Sequence, residues 1–471
     1  MSNDPSDPQA GGTRPEDSNP AEARQHRDEL DPEWQRAFAW VEKELGGEIV
    51  AFERQPRWRP AFFVDLVRDG ETLPLYLRGE RGELDHGANP FEFEAHVFEM
   101  MEDEGLPVPH IHGIIPDPKM IVMDKVPGRI DLSTAEDEEE RVSVLNHYME
   151  LLADLHAIDP KRFEDLGVKK PKDAEAAGFA DMAVWESNFR AAKNRPEPII
   201  EFVYGWLRRN VPTDRYEVSC LQVDSAQFLF DQGRVTSFID LELATLGDPA
   251  ADLAGMRSRD LAEPLGPLAP AFDHYFEKTG SRIPKDVIDF HTVRFNLATP
   301  TTCAPFVIEP PSAVDYIQYL AWYWVWSRAC IEVMADSMGV ALETPTIPEP
   351  ATSGFSPAHD WIVGKLAEIR SGTEDFVKYE VDTTWRTATY LQRVESMWPE
   401  MEKEENAEID ALLGRTTAPL DREAELEAFV LEHGAANEEA LLRFFQKRCL
   451  RHEALYEPVA RELKGKKTQL L

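Results

Sequence analysis

The chain has 471 residues, 87 acidic against 50 basic, and a formal net charge of −37. That length suits two or three domains with sizeable cores, and 42% hydrophobic with 10% aromatic residues fits a globular protein rather than a disordered one. The charge argues against nucleic acid, whose binding needs Lys and Arg to displace counterions, and against an anionic membrane surface. A phosphorylated ligand would need a local basic exception.

Residues 1–30 are rich in Pro, Gly, Asp, Ser and Asn without apolar periodicity, which predicts a disordered tail. The tail lacks the basic start and apolar stretch of a signal peptide. Cys220, Cys303, Cys330 and Cys449 are widely spaced, so neither a disulfide framework nor a structural zinc site is expected. These features point to a soluble, cytoplasmic protein. Order begins at Asp31-Pro32-Glu33, an N-cap followed by proline at the first helical position. Trp34, Phe38, Val41 and Leu45 then share a face, and Gly46-Gly47 stops the helix. Strands are predicted over Glu48–Arg54, Ala61–Val67 and Leu73–Arg78, with Asp69-Gly70 as a tight turn between the last two. A helix over Pro90–Glu104, the break Pro107-Val108-Pro109, and strands at Ile111–Ile115 and Met120–Met123 complete a small antiparallel sheet carrying one helix, residues 31–124.

Asp124-Lys125-Val126-Pro127-Gly128 reads as a connector into a mostly helical region, 125–343. Val142, Leu145, Tyr148, Leu152 and Leu155 recur at helical spacing, as do Ile199, Phe202, Val203, Trp206 and Leu207. One strand pair interrupts the helices: Gln227–Phe230, the turn Asp231-Gln232-Gly233, then Arg234–Ile239. The aromatic run Tyr316–Ser327 is shorter than the about 20 residues that cross a bilayer, which predicts a buried helix. Beyond the linker from Thr344 to Pro350, residues 350–471 read as a helical extension, with Phe376, Tyr379, Trp385, Ala388 and Leu391 on one helix.

The strand pair carries the chemistry. If Phe230 faces Arg234 across the turn, Asp224 comes opposite Asp240, with Gln227 at the same end. Oxygen ligands converging this way suit Mg²⁺, which takes one or two carboxylates plus substrate phosphates. The alternative is that both aspartates merely cap strand ends near solvent.

The order of these parts matches that of a protein kinase, and the chain more specifically resembles the aminoglycoside phosphotransferase/choline kinase-like family. Within it, the likeness is to the branch found with acyl-CoA dehydrogenases. The resemblance covers about 31–300. It rests on Leu75-Tyr76-Leu77-Arg78, Phe93-Glu94-Ala95-His96, Ile121-Val122-Met123-Asp124, Ala153-Asp154-Leu155-His156, Phe228-Leu229-Phe230 and above all the run from Val235 to Leu253. It implies an α+β, protein-kinase-like two-lobed fold using ATP and Mg²⁺. It also implies roles. Asp240 and Gln227 would bind the metal, Arg78 the nucleotide phosphates with Glu94 as its helix partner, and Met123 to Lys125, including Asp124, would line the adenine. Asp248 and Asp252 would brace the catalytic loop.

Two departures stand out. The family loop reads His-Gly-Asp with Asn five steps on, whereas this chain has Cys220-Leu221-Gln222-Val223-Asp224-Ser225-Ala226-Gln227. Counted without a gap, Gln222 replaces the proton-accepting Asp, and an amide cannot accept that proton. Counted with a two-residue deletion, Asp224 is that Asp. The phosphate-covering turn is also altered: Gln55-Pro56-Arg57-Trp58-Arg59-Pro60 loses backbone donors to proline. Arg54, Arg57 and Arg59 add guanidiniums there, which either take phosphate oxygens or pair with the abundant carboxylates. His156 is expected as a packed or capping histidine.

The reading is an ATP- and Mg²⁺-dependent small-molecule kinase, a transferase acting on a hydroxyl. The branch suggests a hydroxyacyl or a lipid- or steroid-derived acceptor. Asp224, or Gln222 in the other register, would be the catalytic residue, and Arg57, Arg59 and Arg78 the basic exception on an acidic chain. The rival is a silent kinase-like protein that binds a nucleotide or a partner protein. No nucleic acid and no membrane are expected as partners.

Overall fold

The computed structural model describes residues 27, 30–55, 59–81, 89–179, 182–311, 314–373 and 375–471, with 375 and 376 as backbone only. The tail expected over 1–30 lies outside the described residues apart from Arg27 and Leu30. The chain opens with α1 (Pro32–Leu45), β1 (Glu48–Arg54), β2 (Ala61–Arg68), β3 (Glu71–Gly79), α2 (Phe93–Asp103), β4 (Ile111–Pro116) and β5 (Lys119–Asp124). Then come α3 (Glu138–His156), α4 (Lys161–Asp165), α5 (Ala174–Phe179), α6 (Met182–Ala192) and α7 (Pro198–Asn210). Four short strands follow: β6 (Ser219–Leu221), β7 (Phe228–Asp231), β8 (Arg234–Phe238) and β9 (Thr245–Gly247). Eight helices end the described chain: α8 (Ala250–Arg259), α9 (Leu268–Thr279), α10 (Lys285–Ile308), α11 (Tyr316–Met338), α12 (Ser356–Ser371), α13 (Asp375–Leu413), α14 (Arg422–His433) and α15 (Glu438–Tyr456).

These elements form two compact units. The first holds the described residues up to Ile130 together with Gln227–Glu242; the second holds Asp131–Ala226 and Leu243–Leu471. The expected α+β, kinase-like division into a small antiparallel-sheet unit and a helical unit with a helical C-terminal region is borne out.

In the sheet unit the strand order is β1-β2-β3-β5-β4, all neighbours antiparallel. Side chains alternate across a strand. Phe62, Val64 and Leu66 of β2, with Leu75 and Leu77 of β3, meet Trp34, Phe38 and Val41 of α1 in one core. Arg78, one step past Leu77, therefore points to the other face. The turn between β2 and β3 is Asp69-Gly70, both at positive φ (55° and 86°), the two-residue geometry that matches strand twist.

The β7–β8 hairpin, assigned by sequence to the helical region, packs within the sheet unit. Its turn is Gln232-Gly233, again with both φ positive. Its register corrects the sequence count: Phe228 pairs with Phe238, Leu229 with Ser237, Phe230 with Val235 and Asp231 with Arg234. A bulge between Leu229 and Phe230 shifts the pairing, and the ladder ends at Phe228 and Phe238, so strand pairing does not set Asp224 opposite Asp240. The connector joins the hairpin through Arg129 and Phe230, which exchange both backbone hydrogen bonds (2.8 and 3.0 Å). Gly128 is needed there: at φ 145°, a Cβ would lie 2.9 Å from Thr236 Oγ1 and 3.1 Å from the Phe230 carbonyl.

In the helical unit, α7, α10, α11 and α15 share one core, with Phe202 against Phe445 and Val293 near Cys330. The aromatic helix α11 is buried as expected, Tyr323 donating to Glu197 (2.5 Å) and Trp326 to Ser258 (2.8 Å). Among the described residues, no helix is long and apolar enough to cross a membrane. Two details differ from the sequence reading. Val142 is exposed, Val144 and Met149 taking the buried face of α3 instead. A second strand pair, β6 with β9, was not foreseen because each strand is three residues long.

Candidate functional site

In the sheet unit, the candidate residues converge as a charge cluster. Arg78 Nε donates to Glu94 Oε2 at 2.9 Å, and its Nη2 also bonds Asp240 Oδ1. Glu94, buried on α2, uses its other oxygen to accept the Leu241 backbone N–H at 3.1 Å, fixing the segment that follows β8. Asp240 itself sits at φ 59°, where the chain turns out of the strand. Gln227 begins the hairpin, its carbonyl accepting the Ile239 N–H at 3.2 Å, so it neighbours the strand end that carries Asp240.

Three participants were not foreseen. Glu242, two residues past Asp240, takes Arg59 (2.6 Å) and Arg81, with Arg78 at 3.6 Å. Asn89 donates to the Glu242 carbonyl at 2.9 Å. The closeness of Glu242 to Asp240 in sequence was the available signal; Arg81 had none, because it lies beyond the last strand residue. Three guanidiniums thus meet three carboxylates, and the basic exception is charge-balanced. Burial, then the nearby Arg78 charge, bring Arg59 down to about 10, and burial, then Arg59, bring Arg81 to about 10. Both stay protonated at neutral pH. Burial also disfavours the charge on Arg78, but Glu94 and Asp240 outweigh it and hold Arg78 above its usual range.

The other sheet-unit candidates lie apart from this network. Arg54 stacks over Trp34 and Phe62, 5.6 and 5.9 Å from their ring centroids. Arg57 lies outside the described residues. Met123 is buried in β5, paired with Tyr76 and Ile111. The amides of Asp124 and Lys125 donate to the His110 and Pro74 carbonyls (3.0 Å each), and the Asp124 carboxylate meets His112 at 2.7 Å.

In the helical unit, the loop 222–226 leaves β6 with Val223 and Ala226 at φ 72° and 65°. A single buried carboxylate organises it. Asp252 of α8 accepts the Val223 N–H (2.6 Å) and Ser225 Oγ–H (2.8 Å) on one oxygen. Its other oxygen takes the Gln222 N–H (3.0 Å) and meets His156 Nε2 (2.9 Å). His156 is thus a packed histidine, its Nδ1 paired with Tyr275 Oη at 2.7 Å. Gln222 is fully buried, its amide oxygen accepting Tyr148 Oη–H at 2.7 Å, while Tyr148 Oη accepts the Ala226 N–H at 2.7 Å. Burial, then the Asp252 charge, raise Tyr148 far above its usual range, so it remains a neutral hydroxyl. Asp224 is 26% exposed at its side chain and pairs with Arg259, seven residues after Asp252 on α8. Tyr148 was legible only as part of an apolar row, and Arg259 only by its spacing from Asp252.

A family profile described as "Phosphotransferase enzyme family" (APH) matches residues 59–284. Acyl-CoA dehydrogenase family member 11 of Gallus gallus is 30% identical over 206 residues, 41% of this chain and 26% of that protein. Its namesake from Rattus norvegicus is 25% identical over 254 residues, 51% of this chain and 32% of that protein. The chain therefore spans about a quarter to a third of the length of these relatives. A solved putative aminoglycoside phosphotransferase from Ralstonia eutropha aligns at 19% identity and a TM-score of 0.47, covering 64% of this chain and 95% of that one.

Proposed function

With residues 59–284 belonging to the phosphotransferase enzyme family, we propose that the chain transfers the terminal phosphoryl group of ATP to a hydroxyl of a small molecule. The observation that carries this is the buried Arg78 guanidinium, held between Glu94 and Asp240. Phosphoryl transfer through a loose transition state depends on positioned charge more than on covalent chemistry. Arg78 would exchange Asp240 for phosphate oxygens, with Glu94 keeping the guanidinium in place.

The residues present fit Mg²⁺. No group of three or more His, Cys, Asp or Glu is placed to hold a metal among the described residues, but Mg²⁺ bound with a nucleotide needs only one or two carboxylates. Asp240 and Gln227 supply hard oxygen ligands at one end of the hairpin. When bound, the ion would neutralise phosphate charge.

Asp224 would orient the acceptor hydroxyl and take its proton, which makes a phosphate ester, ADP and a proton from alcohol and ATP. Gln222 is the weaker candidate, since its amide is buried and committed to Tyr148. The names of the relatives favour a hydroxyacyl or other lipid-derived acceptor. The second reading, a silent nucleotide- or partner-binding protein, draws on the Arg259 guanidinium that already holds Asp224.

Titration calorimetry with ATP, with and without Mg²⁺, tests the proposal, followed by ATP turnover over hydroxyacyl-CoA and simple alcohol acceptors. Binding that requires Mg²⁺ and weakens at least about tenfold in Asp240→Asn (about 1.4 kcal/mol) is expected. No ATP binding in either condition refutes both readings, whereas binding without turnover on any acceptor selects the silent one.

A further inference from the structure

Helix α12 contributes no buried residue, although it is 16 residues long. A helix of that length is marginal in water by itself, and its main packing partner is α13. Arg370 pairs with Asp382 (2.6 Å), Gln392 with Asp360 (2.6 Å), and Arg370 lies 4.1 Å over the Trp385 ring. These contacts run α12 antiparallel to α13. The half-buried residues of α12, Ser356, His359, Val363, Leu366, Ala367 and Arg370, mark the face it turns to its neighbour.

Beside that face runs a row at seven-residue spacing: Phe355 (69% exposed), Ile362 (44%) and Ile369 (41%). On α13 a second row recurs at the same spacing: Val377 (58%), Thr384 and Leu391 (53%). At 100° per residue, each row stands about a quarter-turn from the contact between the two helices. Because the helices are antiparallel, both rows come out on the same side of the hairpin. That side points away from Arg386, Met397 and Met401, through which α13 meets its own core. Seven-residue apolar spacing is the pattern by which helices pack against helices. Soluble chains rarely leave so continuous an apolar face exposed.

We infer that this hairpin face is where a second copy of the chain docks, the two hairpins closing into an antiparallel four-helix bundle. Three observations favour a second copy. The seven-residue spacing is shared by both helices, so a two-fold axis parallel to them lays each row on the other row, Ile362 of one copy beside Leu391 of the second. The outer edge of the α12 row carries little unpaired charge, because Lys365 there pairs with Glu368 at 3.0 Å. A chain of net charge −37 repels its own copies elsewhere, so an apolar face with little unpaired charge is where they can meet. The exposed apolar side chains cover roughly 450 Å² per copy; with their polar flanks, two copies approach the about 1,200 Å² at which specific interfaces begin.

Sedimentation equilibrium of the full chain from about 1 to 100 µM tests this. A dimer of the 53.5 kDa chain is expected, with at least a tenfold rise in its dissociation constant in Ile362→Glu/Leu391→Glu. Trp361→Glu is the control, since Trp361 is 69% exposed but turned about 100° from Ile362, outside the row, and its change should leave the dimer intact. Circular dichroism melting confirms that each variant is folded. A wild-type monomer throughout, whatever else binds the face, overturns the inference. So does a dimer unaffected by the double variant, or one lost in Trp361→Glu.

Discussion

Asp252→Asn isolates the group that shapes the candidate catalytic loop. In the wild type, four donors share two carboxylate oxygens, two of them the backbone N–H groups of Gln222 and Val223. An asparagine keeps one oxygen and presents an NH₂ group in place of the other. Ser225 can rotate its hydroxyl to accept, and His156 can change tautomer, but a backbone N–H can only donate. Whichever way the amide turns, one of the two N–H groups is left buried and unpaired, costing about 1–3 kcal/mol. Loss of the charge-assisted bonds adds about 1 kcal/mol. The total of roughly 2–4 kcal/mol corresponds to a 30- to 1,000-fold loss of hydrogen-exchange protection at one of these amides. Residue-resolved hydrogen exchange on the folded chain reads it directly. Protection of both amides within threefold of wild type would refute the argument that Asp252 holds the loop.

Other outcomes follow from the same geometry. In Gly255→Ala, the new Cβ would stand 2.3 Å from the Val223 carbonyl and 3.1 Å from Ser225 N. Overpacking against backbone should cost about 1–3 kcal/mol in urea unfolding, and an unchanged midpoint counts against that contact. Arg78→Met strands the buried Glu94 and half-exposed Asp240 charges and should destabilise the sheet unit by about 3–5 kcal/mol. Equal stability of the Met and Lys variants at this position would show that the charge is not what matters. Burial first, then Arg294 and Arg215, push His291 well below its usual range. Below pH about 6.5 the unfolded chain binds a proton there that the folded chain refuses, so stability falls by about 1.4 kcal/mol per pH unit until the folded value is reached. His291→Leu should remove that slope, measured as the pH dependence of thermal unfolding; an identical slope in both proteins would contradict it.

Much of this protein was settled by local sequence. Asp31-Pro32 starts α1 and Gly46 ends it in the left-handed region. Asp69-Gly70 and Gln232-Gly233 accept positive φ and so place two hairpins. Alternation along β3 decides that Arg78 leaves the core face, and Glu94 is within its reach one helix later. Each of these depends on neighbours a few residues away, so pattern and propensity suffice. The hairpin register did not follow, because a bulge adds a residue to one strand without a sequence mark that distinguishes it. The charge cluster did not follow either. Arg59 and Glu242 are 183 residues apart, and Arg78 and Asp240 are 162 apart. Among 137 charged Asp, Glu, Lys and Arg side chains, only the packed backbone selects which carboxylate meets which guanidinium. Likewise the hydrogen bonds of the candidate catalytic loop became legible once α8 brought Asp252 under Gln222 and Val223: sequence supplies the acceptors and donors, and tertiary packing alone decides which are close enough to pair.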